Sequence, residues 1–211
     1  MKNTIDELYD LLVQSDLHNN QLKSCLKQKI IEMGVPRFVR EIATPLSEKV
    51  GNKWEEKEIT LFMEHFYTSQ MNAVLNDFIL QNGSTNRCEM PKILVCTTVG
   101  ETHLLGCTLV QALLCDRGAV CINLGTELPI VEIIRATEYY HPSVLGLSFS
   151  SVFNKRLMVA VINQIREKLS PNVELWVGGQ GIKNISVTSN AKVLIDVDEI
   201  LEAYDCLLKK I

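Results

Sequence analysis

The 211-residue chain is 46% hydrophobic and 22% charged, ordinary proportions for a globular protein with enough residues to bury a core in one large or two small domains. Lys and Arg number 21 against 25 Asp and Glu, a formal net charge of −4, so the chain lacks the basic stripe that nucleic-acid binding needs. The opening MKNTIDELYD has no signal-peptide core and no apolar run is long enough to span a bilayer, which together predict a cytoplasmic protein with no membrane partner.

Up to about residue 84 the pattern is helical. TIDELYDLLVQ opens on a Thr cap and places Ile5, Leu8, Leu11 and Leu12 at helical spacing. NQLKSCLKQKIIEMG repeats the pattern and stops at Gly34. PRFVREIATPLSEKVGNKW follows and is expected to be broken by Pro45. EEKEITLFMEHFYTSQMNAVLNDFILQNG is the longest helical stretch and ends at Asn82-Gly83. Four helices with short connections predict a bundle over residues 1–84, and GSTNRCEM, residues 83–90, reads as a linker.

Beyond the linker the period changes. Apolar runs at 92–98, 119–125, 144–150 and 173–179, with a weaker fifth in AKVLIDV, alternate with helical segments. That alternation predicts an α/β domain over 91–211: a flavodoxin-like (Rossmann-type) five-stranded parallel sheet covered on both faces. The seven cysteines, Cys25, Cys88, Cys96, Cys107, Cys115, Cys121 and Cys206, are scattered without a C-x-x-C pair. They read as free thiols rather than a disulfide frame or a zinc site.

Three chemically unusual features fall at predicted strand ends. Glu101, His103 and Gly106 follow the first strand, Ser148 and Ser150 end the third, and Gly178-Gly179 end the fourth. Open α/β sheets bind ligands at the carboxyl ends of the strands where the strand order reverses. No phosphate-cradling G-x-G-x-x-G or Walker-type loop occurs, so this is not an ordinary nucleotide site. A carboxylate two residues before a histidine can accept the Nδ1 proton and raise the basicity of Nε2 toward a metal. Taken alone, E-x-H-x-x-G is short and favours a decorated helix N-terminus with a histidine of no consequence. Of the other histidines, His141 reads as structural and His18 as exposed, and Trp176 reads as core.

The ordered set E-x-H-x-x-G, S-x-S and G-G resembles the cobalamin-binding domain, whose usual motif is D-x-H-x-x-G, then S-x-L, then G-G. The resemblance covers roughly residues 91–211. It implies that His103 is the lower cobalt ligand, replacing the cofactor's own dimethylbenzimidazole, with Glu101 as its hydrogen-bonding partner. Gly106 would allow close approach, and Ser148, Ser150, Gly178 and Gly179 would line the slot for the displaced nucleotide tail. Glu in place of Asp and Ser150 in place of Leu depart from the usual pattern without removing the ligand.

In the helical half, Trp54, nine intervening residues, then Glu64 and His65 form a second signature. It resembles that of the adenosylcobalamin-dependent light-sensing regulators (the CarH/LitR group), which also carry E-x-H-x-x-G. There the bundle caps the upper cobalt face, with Trp, Glu and His around the adenosyl group, and light breaks the cobalt–carbon bond and dissolves the assembly. Independently, Trp54 offers a flat surface for an adenine, Glu64 can accept from ribose hydroxyls and His65 can donate or accept.

Two differences from that group shape the expectation. Its repressors begin with a MerR-type DNA-binding domain, whereas this sequence begins at the bundle. Regulation would therefore run through a protein partner such as a transcription regulator, or through a homo-oligomer. Glu55 stands where the group often has a second histidine, so a water-ligated light state is expected. The alternatives are a corrinoid methyl carrier of a methyltransferase system, or a cobalamin storage or sensing protein without light output. No nucleophile–base pair stands out, so an autonomous enzyme is not expected.

Overall fold

The computed structural model describes residues 3–14, 21–82, 91–187 and 190–210. His18, Cys88 and the expected linker at 83–90 lie outside them. The chain divides into two compact units, Met1–Gln81 and Asn82–Ile211. Among the described residues no helix is long and apolar enough to cross a membrane.

The first unit is helical. Helix α1 (Thr4–Gln14) buries Leu8 and Leu12, one turn apart. It begins at Thr4 itself, with the Asn3 carbonyl accepting from Asp6 and Glu7, so Asn3 rather than Thr4 occupies the cap position. Helix α2 (Gln21–Met33) buries Leu22, Leu26 and Ile30 and ends at Gly34, whose φ of 73° suits glycine. Helix α3 (Val35–Phe38), a π turn (Val39–Ala43) and helix α4 (Thr44–Glu55) then follow without a gap.

Pro45 does not break this helix. A proline inside an α-helix loses one hydrogen bond and its ring meets the carbonyl four residues back. Here the preceding turn is wide: the Thr44 N–H reaches Val39 O, five residues back, and Ala43 and Thr44 keep right-handed helical angles. The π turn absorbs the proline. The last helix, α5 (Leu61–Asn82), starts later than expected. Lys57 takes a left-handed φ of 61°, Lys53 Nζ holds Glu56 and Glu58 at 2.9 and 2.8 Å, and Thr60 O accepts from Met63 and Glu64. Residues 56–60 are therefore a turn. Tyr67 of α5, fully buried, places its hydroxyl 2.7 Å from Ser47 Oγ of α4.

The second unit is the expected doubly wound domain. Strands β1 (Lys92–Cys96), β2 (Val120–Asn123), β3 (Val144–Ser148), β4 (Glu174–Gly178) and β5 (Lys192–Leu194) form one parallel sheet in the order β2-β1-β3-β4-β5. Helices α6 (Leu105–Asp116) and α9 (Val197–Leu208) pack together, as do α7 (Ile130–Tyr140) and α8 (Lys155–Lys168). Leu94, Leu145, Leu147, Leu175 and Val177 of the strands are buried with Ile133, Met158 and Ile162 of α7 and α8. Among the described residues between β4 and β5 the only regular element is a short 3-10 turn, Gln180–Ile182. The order reverses between β1 and β3, so a crevice opens at their carboxyl ends.

Candidate functional site

Glu101 and His103 sit in the loop that leaves β1 and enters α6, at this reversal point. Buried Thr97 shapes the loop: its hydroxyl donates to Glu101 O at 2.5 Å and accepts from the Glu127 N–H at 3.0 Å. Gly100, at φ 85°, makes the turn. The Glu101 side chain is only 1% exposed, yet it carries four hydrogen bonds. Oε1 accepts from the His103 N–H at 3.0 Å and pairs with His103 Nδ1 at 2.6 Å. Oε2 accepts from the Ser150 N–H and the Ser150 hydroxyl, both at 2.7 Å.

Burial pushes Glu101 up, but the bonds from His103 and Ser150 outweigh it and hold the carboxyl below its ordinary range. An ionised carboxylate only accepts. His103 must therefore carry a proton on Nδ1, and in the neutral ring the lone pair is then on Nε2. The His103 side chain is 48% exposed, so the ring is anchored from a buried base while reaching outward. That donor set, an imidazole held by a carboxylate, is the chemistry of a single-histidine metal ligand. Among the described residues no group of three or more His, Cys, Asp or Glu is arranged to hold a metal ion by itself.

The glycines and Ser148 lie around the same strand ends. A Cβ on Gly106 would come within 2.2 Å of Ser148 Oγ, so the start of α6 passes directly over the end of β3. A Cβ on Gly178 would lie 2.7 Å from Leu194 O, and one on Gly179, at φ 93°, would lie 2.4 Å from Phe149 O. The Phe149 N–H donates to Gly178 O and the Gly181 N–H to Phe149 O, so the loops after β3 and β4 are laced together. Gly178 and Gly179 are required by backbone meeting backbone, and Gly106 by the Ser148 side chain. Gly181, not singled out from the sequence, is equally constrained: its Cβ would lie 2.2 Å from Ser150 O. The third glycine of VGGQG was the available signal.

In the helical unit Trp54 lies in the last turn of α4 and is 36% exposed. Glu64 and His65 lie in the first turn of α5, so the signature spans the 56–60 turn rather than one helix. His65 Nδ1 is 2.7 Å from Glu64 Oε2, and Thr68 Oγ1 donates to Glu64 Oε1 at 2.9 Å.

Residues 4–76 match the B12 binding domain family. That segment includes Trp54, Glu64 and His65. Over 144 residues the chain is 25% identical to the HTH-type transcriptional repressor CarH of Myxococcus xanthus, covering 68% of this chain and 47% of that protein. The chain thus spans about half the length of that curated relative. In fold it is similar to the monomethylamine corrinoid protein of Methanosarcina barkeri, with a TM-score of 0.70, 17% identity and 97% of each chain covered. It is also similar to the methanol:cobalamin methyltransferase complex MtaBC of Methanosarcina barkeri, with a TM-score of 0.52, 14% identity, and coverage of 97% of this chain and 79% of that one. The resemblance to cobalamin-binding proteins and the Rossmann-like fold read from the sequence are both borne out.

Proposed function

We propose that this chain is a sensory or regulatory protein that binds adenosylcobalamin with His103 as the lower cobalt ligand. Its signal is the light-driven loss of the adenosyl group, read as a change in assembly or in binding to a protein partner such as a transcription regulator. The single observation that carries the reading is the buried Glu101 carboxylate, 2.6 Å from His103 Nδ1 at the reversal point of the sheet. The B12 binding domain match and the similarity to a repressor support a corrinoid and a regulatory role.

Within this reading residues 91–211 hold the cofactor, and residues 1–84 carry the groups suited to its upper substituent. When bound, the group supplies a metal–carbon bond that light can cleave. The chain's part is to bind and orient. Glu101 fixes the tautomer and direction of His103, so Nε2 is presented without reorganisation. Ser148, Gly178 and Gly179, with the backbone around Ser150, form the wall along which a nucleotide tail would run, and Gly106 keeps α6 close to it. In the helical unit Trp54 gives an apolar face, and Glu64 and His65 give hydrogen-bonding groups for an adenosyl substituent. No residue is assigned a catalytic role. The setting is the cytoplasm, with neither membrane nor nucleic acid as direct partner.

A second reading, a corrinoid methyl carrier, draws on the fold likeness to a corrinoid protein over 97% of both chains. Titration with adenosylcobalamin and methylcobalamin in the dark, followed by green light and size-exclusion chromatography, separates the two. Tighter binding of the adenosyl form, a spectral change in light and a shifted elution volume support the sensor. Preference for methylcobalamin supports the carrier, and binding that protects the cofactor from light supports storage.

A further inference from the structure

Glu64, Thr68 and Asn72 stand at i, i+4 and i+8 on α5, one face of the helix. Thr68 Oγ1 donates to Glu64 Oε1 at 2.9 Å, and His65 Nδ1 lies 2.7 Å from Oε2. Each carboxylate oxygen therefore has one partner from its own helix. The Glu64 side chain is 19% exposed, against 69% for His65, so the carboxylate is sheltered while its neighbour is open. Two turns further, about 12 Å along the axis, Asn72 Oδ1 is shut from solvent with no hydrogen-bond partner among the described residues.

An ionised carboxylate has about four acceptor positions. With one position on each oxygen filled from the helix, the remaining positions suit two neighbouring hydroxyls such as the vicinal diol of a ribose. That fit requires the carboxylate plane to be fixed, because the terminal torsion of Glu is otherwise broad. We propose that Thr68 is a positioning residue: its hydroxyl sets the plane of Glu64 and thereby the preference of the helical unit for a nucleoside over a methyl substituent. The proposal rests on the assignment of Glu64 to the upper ligand, and Thr68 itself touches no ligand.

The test compares Thr68→Val, Thr68→Ser and Glu64→Gln with the unchanged protein, titrating each with adenosylcobalamin and with methylcobalamin in the dark. Val keeps the shape and β-branching of Thr but has no hydroxyl, and Ser restores one. The expected result is adenosylcobalamin binding weakened about five- to tenfold in Thr68→Val, methylcobalamin binding unchanged, and recovery in Thr68→Ser. Melting of the unloaded variants controls for folding. If Glu64→Gln loses the adenosyl preference and Thr68→Val keeps it, Thr68 is an ordinary helix residue and the proposal is overturned while the role of Glu64 stands. If Glu64→Gln also keeps the preference, the upper-ligand assignment falls with it. A uniform loss of both cofactors in Thr68→Val overturns the positioning role as well, since only folding or general packing would then have changed.

Discussion

Ser150 donates twice to Glu101 Oε2, from its N–H and from its hydroxyl, each at 2.7 Å. The two departures from the usual motif, Glu for Asp and Ser for Leu, are thereby in direct contact. The longer carboxylate spans from the β1 loop to the end of β3 and keeps its other oxygen for His103. Glu101→Gln puts an amide donor against two Ser150 donors or two His103 donors, whereas Ser150→Ala removes one hydroxyl and leaves the N–H. Unfolding of the unloaded protein should therefore show a loss of about 2–3 kcal/mol for Glu101→Gln and about 1–2 kcal/mol for Ser150→Ala. Equal small losses would show that Ser150 and Glu101 are not coupled as described.

Gly179 and Gly34 both have positive φ, 93° and 73°, but only Gly179 is crowded. A Cβ at Gly179 meets Phe149 O at 2.4 Å, while one at Gly34 meets nothing within 4 Å among the described residues. Gly34→Ala should cost about 1 kcal/mol, the conformational penalty alone. Gly179→Ala should cost roughly 3 kcal/mol or more, because the laced loops must also part. Chemical denaturation of the two variants measures the difference.

Burial separates the thiols. Cys107 is pushed up to about 12 by burial, with the Glu101 charge adding to the effect, and burial also raises Cys96 and Cys121. Cys206 is exposed. Thiolate is the reactive form, so alkylation of the native protein near pH 8, read by peptide mapping, should label Cys206 early. Cys96, Cys107 and Cys121 should be labelled only on unfolding.

Burial also pushes Glu174 up, but Lys210 Nζ, 2.5 Å from Oε1, and Trp176 Nε1, 3.0 Å from Oε2, hold it below the ordinary carboxylate range. A lowered folded value means that its contribution is complete above the unfolded value of about 4.3 and is lost as pH falls through the folded one. Thermal melts should thus show Glu174→Gln less stable at neutral pH by up to about 1 kcal/mol. The gap should close as pH falls through the lowered folded value, below which Glu174 is protonated in the folded and the unfolded chain alike.

How far each feature could be read from the sequence follows from its range along the chain. The strands and their doubly wound order were legible because parallel strands buried on both faces leave continuous apolar runs such as KILVC and VLGLS. The Glu101–His103 pair was legible because both partners lie within three residues. The Ser150–Glu101 contact joins residues 49 apart and exists only because β1 and β3 are neighbours in the sheet. Pro45 misled because the local rule assumes an α turn before it, and Val39–Ala43 form a π turn instead. The start of α5 misled because Lys57 adopts a positive φ with no glycine or asparagine to signal it.

The central claim, that His103 is the lower ligand of a bound corrinoid, is tested most directly by electron paramagnetic resonance. The sample is the cob(II)alamin-loaded protein, prepared with histidine uniformly labelled with nitrogen-15. If a protein histidine ligates cobalt, the superhyperfine pattern changes from the triplets of nitrogen-14 to doublets, and the doublets disappear in His103→Ala. Triplets that persist in the labelled protein would mean that the cofactor's own dimethylbenzimidazole remains on the metal, and would contradict the account.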